Sequence, residues 1–94
     1  MEEGFLYILS NKNRTTLYIG TTKKLKERIE LHIAGKASEF TKKYNVIELM
    51  YFEKYTNKHD AFAREKQLKN WKKEWKWNLI KSKNLKLKNL YLEL

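Results

Sequence analysis

Five side chains that can bind ions or move protons stand out by their type and spacing. Tyr7 and Tyr18 each lie in a short apolar segment, and Arg28 and His32 follow four residues apart. Residues at i and i+4 are neighbours on one helix face, so a guanidinium and an imidazole would share a surface there. The fifth is Glu65, an acid in the second half of the chain. These five are the candidates for chemistry.

Glu65 is flanked by Ala61 and Leu68, at the i−4 and i+3 positions of a predicted helix. A carboxylate at the border of a buried face requires a partner or a metal ion, because an isolated charge is costly to bury. The alternative is a surface ion pair with Lys69 at i+4, worth only about 0.3–0.5 kcal/mol. The apolar neighbours favour the first interpretation.

Taken one at a time, the other candidates have ordinary explanations. Tyr7 and Tyr18 are typical half-buried strand tyrosines, and Arg28 is one of 21 basic residues. His32 alone is as consistent with a hydrogen-bonded helix histidine as with a catalyst. Gly20 either ends a strand or lets a helix approach closely. The combination of both tyrosines with the arginine favours a functional interpretation.

The apolar pattern predicts three strands. Residues 5–9 and 17–19 form a hairpin across a turn-like loop, with Gly20 closing the second strand. Val46 to Phe52 is the third strand. Residues 36–45, which lead into the third strand, are predicted to be a polar connection that carries Phe40 and Tyr44.

Helical spacing indicates three helices. The first begins at a Thr21 or Thr22 cap, buries residues 25, 29 and 33, and stops at Gly35. The second runs from Asn57 to about residue 72, and residues 74–82 form either a third helix or a kinked continuation of the second. Trp71, Trp75 and Leu79 are predicted core residues, whereas Trp77 falls off that stripe and is available to stack on a base.

The resulting order, β-β-α-β-α-α, is an α+β domain in which a three-stranded antiparallel or mixed sheet is flanked by helices. The last ten residues begin with alternating Leu and Lys and are either an edge strand or an amphipathic tail.

The charge balance points to anionic partners. The net charge is +10 with a pI near 9.8, and residues 66–88 contain nine lysines against one glutamate. A field of this sign attracts nucleic acid or anionic membrane. We interpret the lysines as a phosphate-binding surface rather than a merely solvated face. The candidate contacts are Lys23, Lys24, Lys26, Lys42, Lys43, Lys69, Lys72 and Lys73.

Several classes are disfavoured by composition. The 94 residues suffice for one domain, and without cysteine neither a disulfide framework nor a thiolate metal site can form. No apolar run reaches the 18 residues of a membrane span, and the acidic start lacks the pattern of a signal peptide. We therefore expect a soluble cytoplasmic protein with no membrane partner.

These residues together resemble a known domain. Tyr7, the Tyr18-Ile19-Gly20 segment, the Arg28/His32 pair and Glu65 within Ala-Arg-Glu-Lys-Gln-Leu-Lys are similar to the GIY-YIG nuclease domain, in particular its small stand-alone members. The likeness covers roughly residues 5–82. One departure is Phe5, which occupies the position of the glycine in the Gly-Ile-Tyr motif after which the family is named. The resemblance implies a nuclease domain over 1–82, with 83–94 as a basic, leucine-rich tail packed on or extending it.

The resemblance also implies roles. Glu65 would ligate one Mg²⁺ or Mn²⁺ ion, Arg28 would hold the scissile phosphate, and Tyr7 and Tyr18 would position or deprotonate the attacking water. His32 would act as an acid or base, or orient a tyrosine. Asn78, thirteen residues after Glu65, is a candidate for an asparagine that catalytic relatives often carry.

The implied activity is metal-dependent hydrolysis of phosphodiester bonds in DNA or structured RNA, with DNA favoured over RNA. A non-catalytic nucleic-acid-binding module is the main alternative, and a membrane-surface or adaptor protein using the Leu/Lys tail is a weaker one. Because the chain has no room for a separate targeting domain, its targets are expected to be structures or ends, or to be chosen by a protein partner.

Overall fold

The protein is described over residues 3–94 in a computed structural model, and three strands form its centre. They are β1 (Gly4–Ser10), β2 (Leu17–Thr22) and β3 (Glu48–Tyr55). The sheet order is β2-β1-β3 and both pairings are antiparallel, so the predicted α+β sheet is confirmed and is not mixed. β2 is an edge strand, which leaves one of its sides open for other elements.

Five helical segments surround the sheet: α1 (Leu25–Ile33), α2 (Glu39–Tyr44), α3 (Lys58–Lys69), α4 (Lys73–Lys83) and a short 3₁₀ helix (Leu90–Glu93). Across residues 3–94, none of them combines the length and apolar character that crossing a membrane requires.

Alternation along β1 builds a core on both sides of the sheet. Leu6 and Ile8 point to the side covered by α3 and α4. Tyr7 and Leu9 point to the opposite side, which α1 and the 3₁₀ helix cover. Because side chains alternate along a strand, β1 is buried on both faces while β2 presents its outer edge.

The first helix differs from the prediction in its start and its buried face. β2 continues through Thr22, and Lys24 occupies the cap position, so neither threonine is the cap residue. Ile33 is 44% exposed, and His32 is buried instead. Seven residues make almost two helical turns, so position 32 lies on the same face of α1 as the buried Leu25, whereas position 33 is turned away from that face. Gly35 ends the turn with a positive φ, as predicted.

The predicted connection over 36–45 contains a helix, α2. Ser38 caps it by accepting a hydrogen bond from the Thr41 amide. Asn45 ends it in the left-handed conformation that asparagine tolerates. The helix has only six residues, with Phe40 and Tyr44 as its aromatic pair, so it is too short for a helical period to be evident in the sequence.

The later elements follow the predicted order with shifted boundaries. The cap at Asn57 is confirmed, but α3 ends at Lys69 and α4 begins anew at Lys73. That break changes the helical phase. Trp75 is consequently 46% exposed, and Trp77 packs against the core beside Trp71 and Leu79. The prediction of Trp75 as a core residue was therefore wrong, and Trp77, which falls off the predicted stripe, packs on the core instead.

The C-terminal segment is not an edge strand. The Asn84 side-chain amide donates to the Met50 carbonyl, 2.9 Å away, and the Leu49 amide donates to Asn89 Oδ1 at 3.0 Å. The Tyr91 hydroxyl donates to Glu30 on α1. Side chains, rather than a fourth ladder of backbone bonds, thus join this segment to β3 and α1. The division at residue 82 stays a prediction.

Candidate active site

Three aromatic rings meet on the sheet face that α1 covers. Tyr7 of β1, Tyr18 of β2 and His32 of α1 form a triangle with ring centroids 5.4–6.4 Å apart. Phe40 of α2 stacks on the outer side of Tyr18, with centroids 6.1 Å apart. The sheet register and the phase of α1 therefore bring three of the predicted site residues together.

Gly20 makes room for this cluster. It pairs with Tyr7 across the β1–β2 ladder, so both lie at the same point of the sheet. A Cβ atom on residue 20 would lie 2.5 Å from the Tyr7 hydroxyl oxygen and 2.6 Å from Cζ. Any larger residue would displace the Tyr7 ring, so Gly20 sits within β2 for steric reasons and does not end the strand.

His32 joins Tyr7 to α2 through its two ring nitrogens. Its Nε2 lies 2.8 Å from the Tyr7 hydroxyl and its Nδ1 lies 2.9 Å from Thr41 Oγ1. Thr41 Oγ1 is in turn 2.9 Å from Ser38 Oγ. We call this series, Tyr7–His32–Thr41–Ser38, the hydrogen-bond chain. Its inner members Tyr7, His32 and Thr41 are each at least 98% buried.

Ser38 and Thr41 were missed by the sequence analysis. A serine three residues before a threonine is a signal for a helix cap, which Ser38 is. Nothing in the local sequence indicates that Thr41 contacts His32, because that contact depends on how α2 folds back on α1.

The environment keeps the inner members of the hydrogen-bond chain uncharged. Burial raises the pKa of the Tyr7 hydroxyl well above its usual value; Tyr18 and Glu65 add to the rise, and Arg28 opposes it. Burial also lowers the pKa of His32 to about 4, and the charge of Arg28 acts in the same direction. Near neutral pH the cluster therefore holds a neutral phenol and a neutral imidazole.

Arg28 and Glu65 reach the cluster from two sides of the sheet. Arg28 lies one turn before His32 on α1 and is partly exposed. Glu65 lies on α3, which packs on the opposite face, and its Oε1 is 3.5 Å from Thr21 Oγ1. Both charges influence the Tyr7 pKa. The candidate site therefore wraps around the edge strand β2.

The alternative partner of Glu65 is also present. Glu65 is buried, and its Oε2 lies 3.0 Å from Lys69 Nζ, whose side chain is mostly exposed. A flexible exposed lysine can swing away at little cost, since such ion pairs are worth at most about 1 kcal/mol. Burial thus fixes the position of the Glu65 carboxylate, while its present partner, Lys69, can be replaced by another cation.

Glu65 offers the chemistry that a divalent ion needs. Within residues 3–94, no three or more His, Asp or Glu side chains converge on one point. Mg²⁺ does not require such a cage, because it keeps several waters and often uses one or two carboxylates together with substrate phosphate. The donor set fits a hydrated Mg²⁺ or Mn²⁺ held by Glu65 and the substrate.

Asn78 is not brought to this cluster by any described contact. It is exposed on α4, two residues before the buried Ile80, and so faces away from the core. Within the described chain, no hydrogen bond connects it with Glu65 or the tyrosines.

The eight predicted nucleic-acid lysines are all exposed and occupy several elements. Two lie in the turn after β2, one in α1, two in α2, one at the end of α3 and two at the α3–α4 break. Lys72 lies over the Trp75 ring, and the Lys73 ammonium donates to the Thr15 carbonyl. The lysines of α1, α2 and the β2 turn are therefore nearest to the hydrogen-bond chain.

An edge-strand site of two tyrosines, an arginine, a histidine and a glutamate on an α+β sheet defines a class of protein. The family described as the GIY-YIG catalytic domain matches residues 3–78. The chain therefore belongs to the GIY-YIG family, a nuclease family whose domain interacts with nucleic acid.

Within that family the chain is similar to the small UPF0213 proteins. It is 36% identical to the UPF0213 protein CPE1444 of Clostridium perfringens, over 96% of each chain. It is 34% identical to a UPF0213 protein of Pediococcus pentosaceus, covering 93% of this chain and 92% of that one. The solution NMR structure of the UPF0213 protein BH0048 from Bacillus halodurans has a TM-score of 0.56 at 26% identity, covering 87% and 86% of the two chains.

Proposed function

We propose that this protein is a divalent-metal-dependent endonuclease that hydrolyses phosphodiester bonds in DNA. The observation that carries the proposal is the Tyr7–His32 hydrogen bond of 2.8 Å, buried within electrostatic reach of both Arg28 and Glu65. A structural tyrosine needs a hydrogen-bond partner, but it does not need a cation and a carboxylate converging from two sheet faces. Hydrolysis of a phosphodiester can use each of these groups, for proton transfer from the water and for stabilising charge on the phosphate.

Arg28 and Glu65 divide the charge stabilisation. The planar guanidinium of Arg28 can donate two parallel bonds to the scissile phosphate. The Glu65 carboxylate would hold Mg²⁺ or Mn²⁺, which when bound would supply Lewis-acid stabilisation of the charge that develops on the phosphate. Lys69 would then give up its ion pair with Glu65.

Tyr7 and His32 move the proton of the attacking water. If His32 Nδ1 donates to Thr41, Nε2 accepts the hydrogen bond from the Tyr7 hydroxyl. As the water attacks phosphorus, the P–O bond to the leaving oxygen breaks and that oxygen takes a proton from solvent. The proton of the water passes to the Tyr7 oxygen while the Tyr7 proton passes to Nε2, which returns it to solvent after the cut. A concerted shift avoids a free phenolate, which the raised pKa of Tyr7 disfavours. Tyr18 positions the water from the neighbouring ring.

DNA is proposed as the main substrate, with cutting at structures or ends or under the direction of a protein partner. The exposed lysines supply sequence-independent contacts to phosphates. A cytoplasmic location is part of the same proposal, because that is where a basic nuclease of this kind meets nucleic acid.

The test is plasmid nicking with Mg²⁺ or Mn²⁺. The wild type is expected to nick, and both EDTA and Glu65→Ala are expected to lower the rate at least about 100-fold, since Glu65 acts in the transition state. DNA affinity of the Glu65→Ala protein should stay nearly unchanged. Glu74→Ala is the matched control, because it removes an exposed acid from α4 and should nick normally.

A non-catalytic DNA-binding module is the second candidate, and the Glu65–Lys69 ion pair is the observation in its favour. Tight, salt-sensitive binding with no metal-dependent nicking of plasmid or of DNA ends would replace the nuclease proposal with this one. Loss of both binding and folding in Glu65→Ala would instead make the glutamate structural.

A further inference from the structure

A groove of about 740 Å³ opens beside the candidate site, between α1 and the start of α3. It passes around the end of β2, where Thr21 and Thr22 form its floor. Arg28 lines the groove, and Glu65 lies one helical turn beyond Ala61 of its wall. A strand whose phosphate occupied the candidate site would therefore extend into this groove.

The wall of the groove is strongly cationic. Lys23, Lys24 and Lys58 line it together with Arg28, against the single acid Glu27. This balance matches an anionic ligand, and Arg28, the proposed phosphate ligand, links the groove to the candidate site, which favours the backbone of a polynucleotide.

The groove also contains an exposed aromatic ring. Phe62 is 50% exposed and Leu31 is 42% exposed, and both line the groove. The Lys66 ammonium lies 4.7 Å from the centroid of the Phe62 ring, a cation–π contact that restrains the ring. A restrained ring with free surface in a cationic groove is the arrangement on which nucleobases stack.

The size of the groove suits a single nucleotide. Its volume of about 740 Å³ falls within the roughly 300–1,000 Å³ of sites that hold a small molecule. Base faces in a duplex are covered by their neighbours, so only an unpaired base can lie against Phe62.

We propose that this groove binds one unpaired nucleotide of a DNA strand next to the cut site, with its base on Phe62 and Leu31. The neighbouring phosphates lie on Lys23 and Lys24. This inference rests on the proposed function, and it defines the substrate class as DNA with an overhang, a flap or a frayed end.

The experiment uses the fluorescent base 2-aminopurine, which loses fluorescence on stacking against an aromatic ring. The full chain is titrated in EDTA onto a duplex with 2-aminopurine in a short overhang, and onto a blunt duplex with the same base paired. Quenching and tighter binding are expected with the overhang only. EDTA prevents cleavage, so this result does not depend on nuclease activity.

Three variants identify the ring that stacks. Phe62→Ala should abolish the quenching and weaken overhang binding about ten-fold, leaving blunt-duplex binding unchanged. Phe62→Trp should keep both signals. Trp75→Ala, which removes an exposed ring outside the groove, should behave as wild type. Circular dichroism checks that each variant is folded.

Equal binding of the two duplexes by the wild type, or quenching that survives in folded Phe62→Ala, would overturn the proposal. Preferential capture of an acidic peptide, competed by neither DNA, would assign the groove to a protein partner and overturn it as well. Quenching that persists in a protein inactive on every DNA would leave this groove assignment standing while removing the nuclease proposal.

Discussion

Thr41 is the partner that favours the His32 tautomer which the proposed mechanism requires. Its Oγ1 lies 2.9 Å from His32 Nδ1 and 3.3 Å from the Ser38 carbonyl. When the Thr41 hydroxyl donates to the Ser38 carbonyl, its lone pairs remain for the Nδ1–H of His32. Nε2 is then the acceptor for the Tyr7 hydroxyl. In the proposed mechanism, Thr41 would thereby orient the proton transfer without contacting substrate.

Replacing Thr41 by valine should lower kcat about ten-fold with little change in KM, a fraction of the 10²–10⁴ that general acid–base groups contribute. Thr41→Ser keeps the hydroxyl and should restore the rate. Nitrogen NMR of the His32 ring should report loss of the single tautomer in the valine variant. An unchanged tautomer together with wild-type kcat would show that Thr41 serves packing alone.

The low pKa of His32 predicts how stability depends on pH. An unfolded histidine has a pKa near 6.5, whereas burial lowers that of folded His32 to about 4. The unfolded chain therefore binds more protons in this range, and the stabilisation is complete above pH 6.5 and lost as the pH falls toward 4.

Urea unfolding of the wild type between pH 7.5 and 4.5 should show this loss. His32→Gln, which cannot titrate, should have a flatter profile over the same range. Parallel profiles for the two proteins would contradict the assigned pKa.

At the scale of elements, Arg64 and Glu53 fix α3 against β3. Arg64 Nε lies 3.1 Å from Glu53 Oε1, and the hydroxyls of Tyr51 and Tyr55 donate to the same carboxylate. Burial by itself raises the pKa of Glu53, but the bonds from Arg64 and the two tyrosines lower it on balance. This cluster sets the position of the helix that carries Glu65.

Arg64→Met should lower the free energy of unfolding by about 1–3 kcal/mol, because a largely buried carboxylate loses its cation. Cleavage should fall by more than the unfolded fraction explains, since α3 and Glu65 shift together. Denaturant titration combined with initial rates measures both effects. The double variant Arg64→Met, Glu53→Gln removes the orphaned charge and should regain stability; further destabilisation would contradict this account.

The order of the strands and of the longer helices was predictable because each of these segments has a clear period, whereas the short α2 and the helical phases were not. The buried position 32 and the exposed Trp75 depend on where α1 and α4 begin. The cap residue of α1 makes no side-chain hydrogen bond, and no proline marks the break before α4, so neither start has a signal in the sequence. The five candidate site residues were predicted from type and spacing, and their roles stay predictions. Thr41 was not predicted, since its contact with His32 exists only once α2 packs on α1.

At the scale of the whole molecule, the net charge of +10 predicts strongly salt-dependent DNA binding. Lys42 and Lys43 are exposed on α2, the helix that contributes Thr41 to the hydrogen-bond chain. Replacing either by alanine should weaken binding to all sequences alike and reduce the slope of log affinity against log salt by about one.

Lys86→Ala is the matched control for these two variants, because it removes an exposed cation from the C-terminal segment. Fluorescence anisotropy at several salt concentrations gives the slopes. Unchanged slopes for both α2 variants would place the DNA on another face of the domain.

The wrapping of the site around β2 has a consequence for the nascent chain. The Tyr7–His32 bond spans 25 residues and the Thr21–Glu65 contact spans 44, so the site unites segments distant in sequence. Long-range contacts of this kind form late in folding, because loop closure must precede them. If the protein cuts DNA as proposed, a growing or partly folded chain that still lacks docked α3 would have no complete site. Cutting would then begin only once folding is complete.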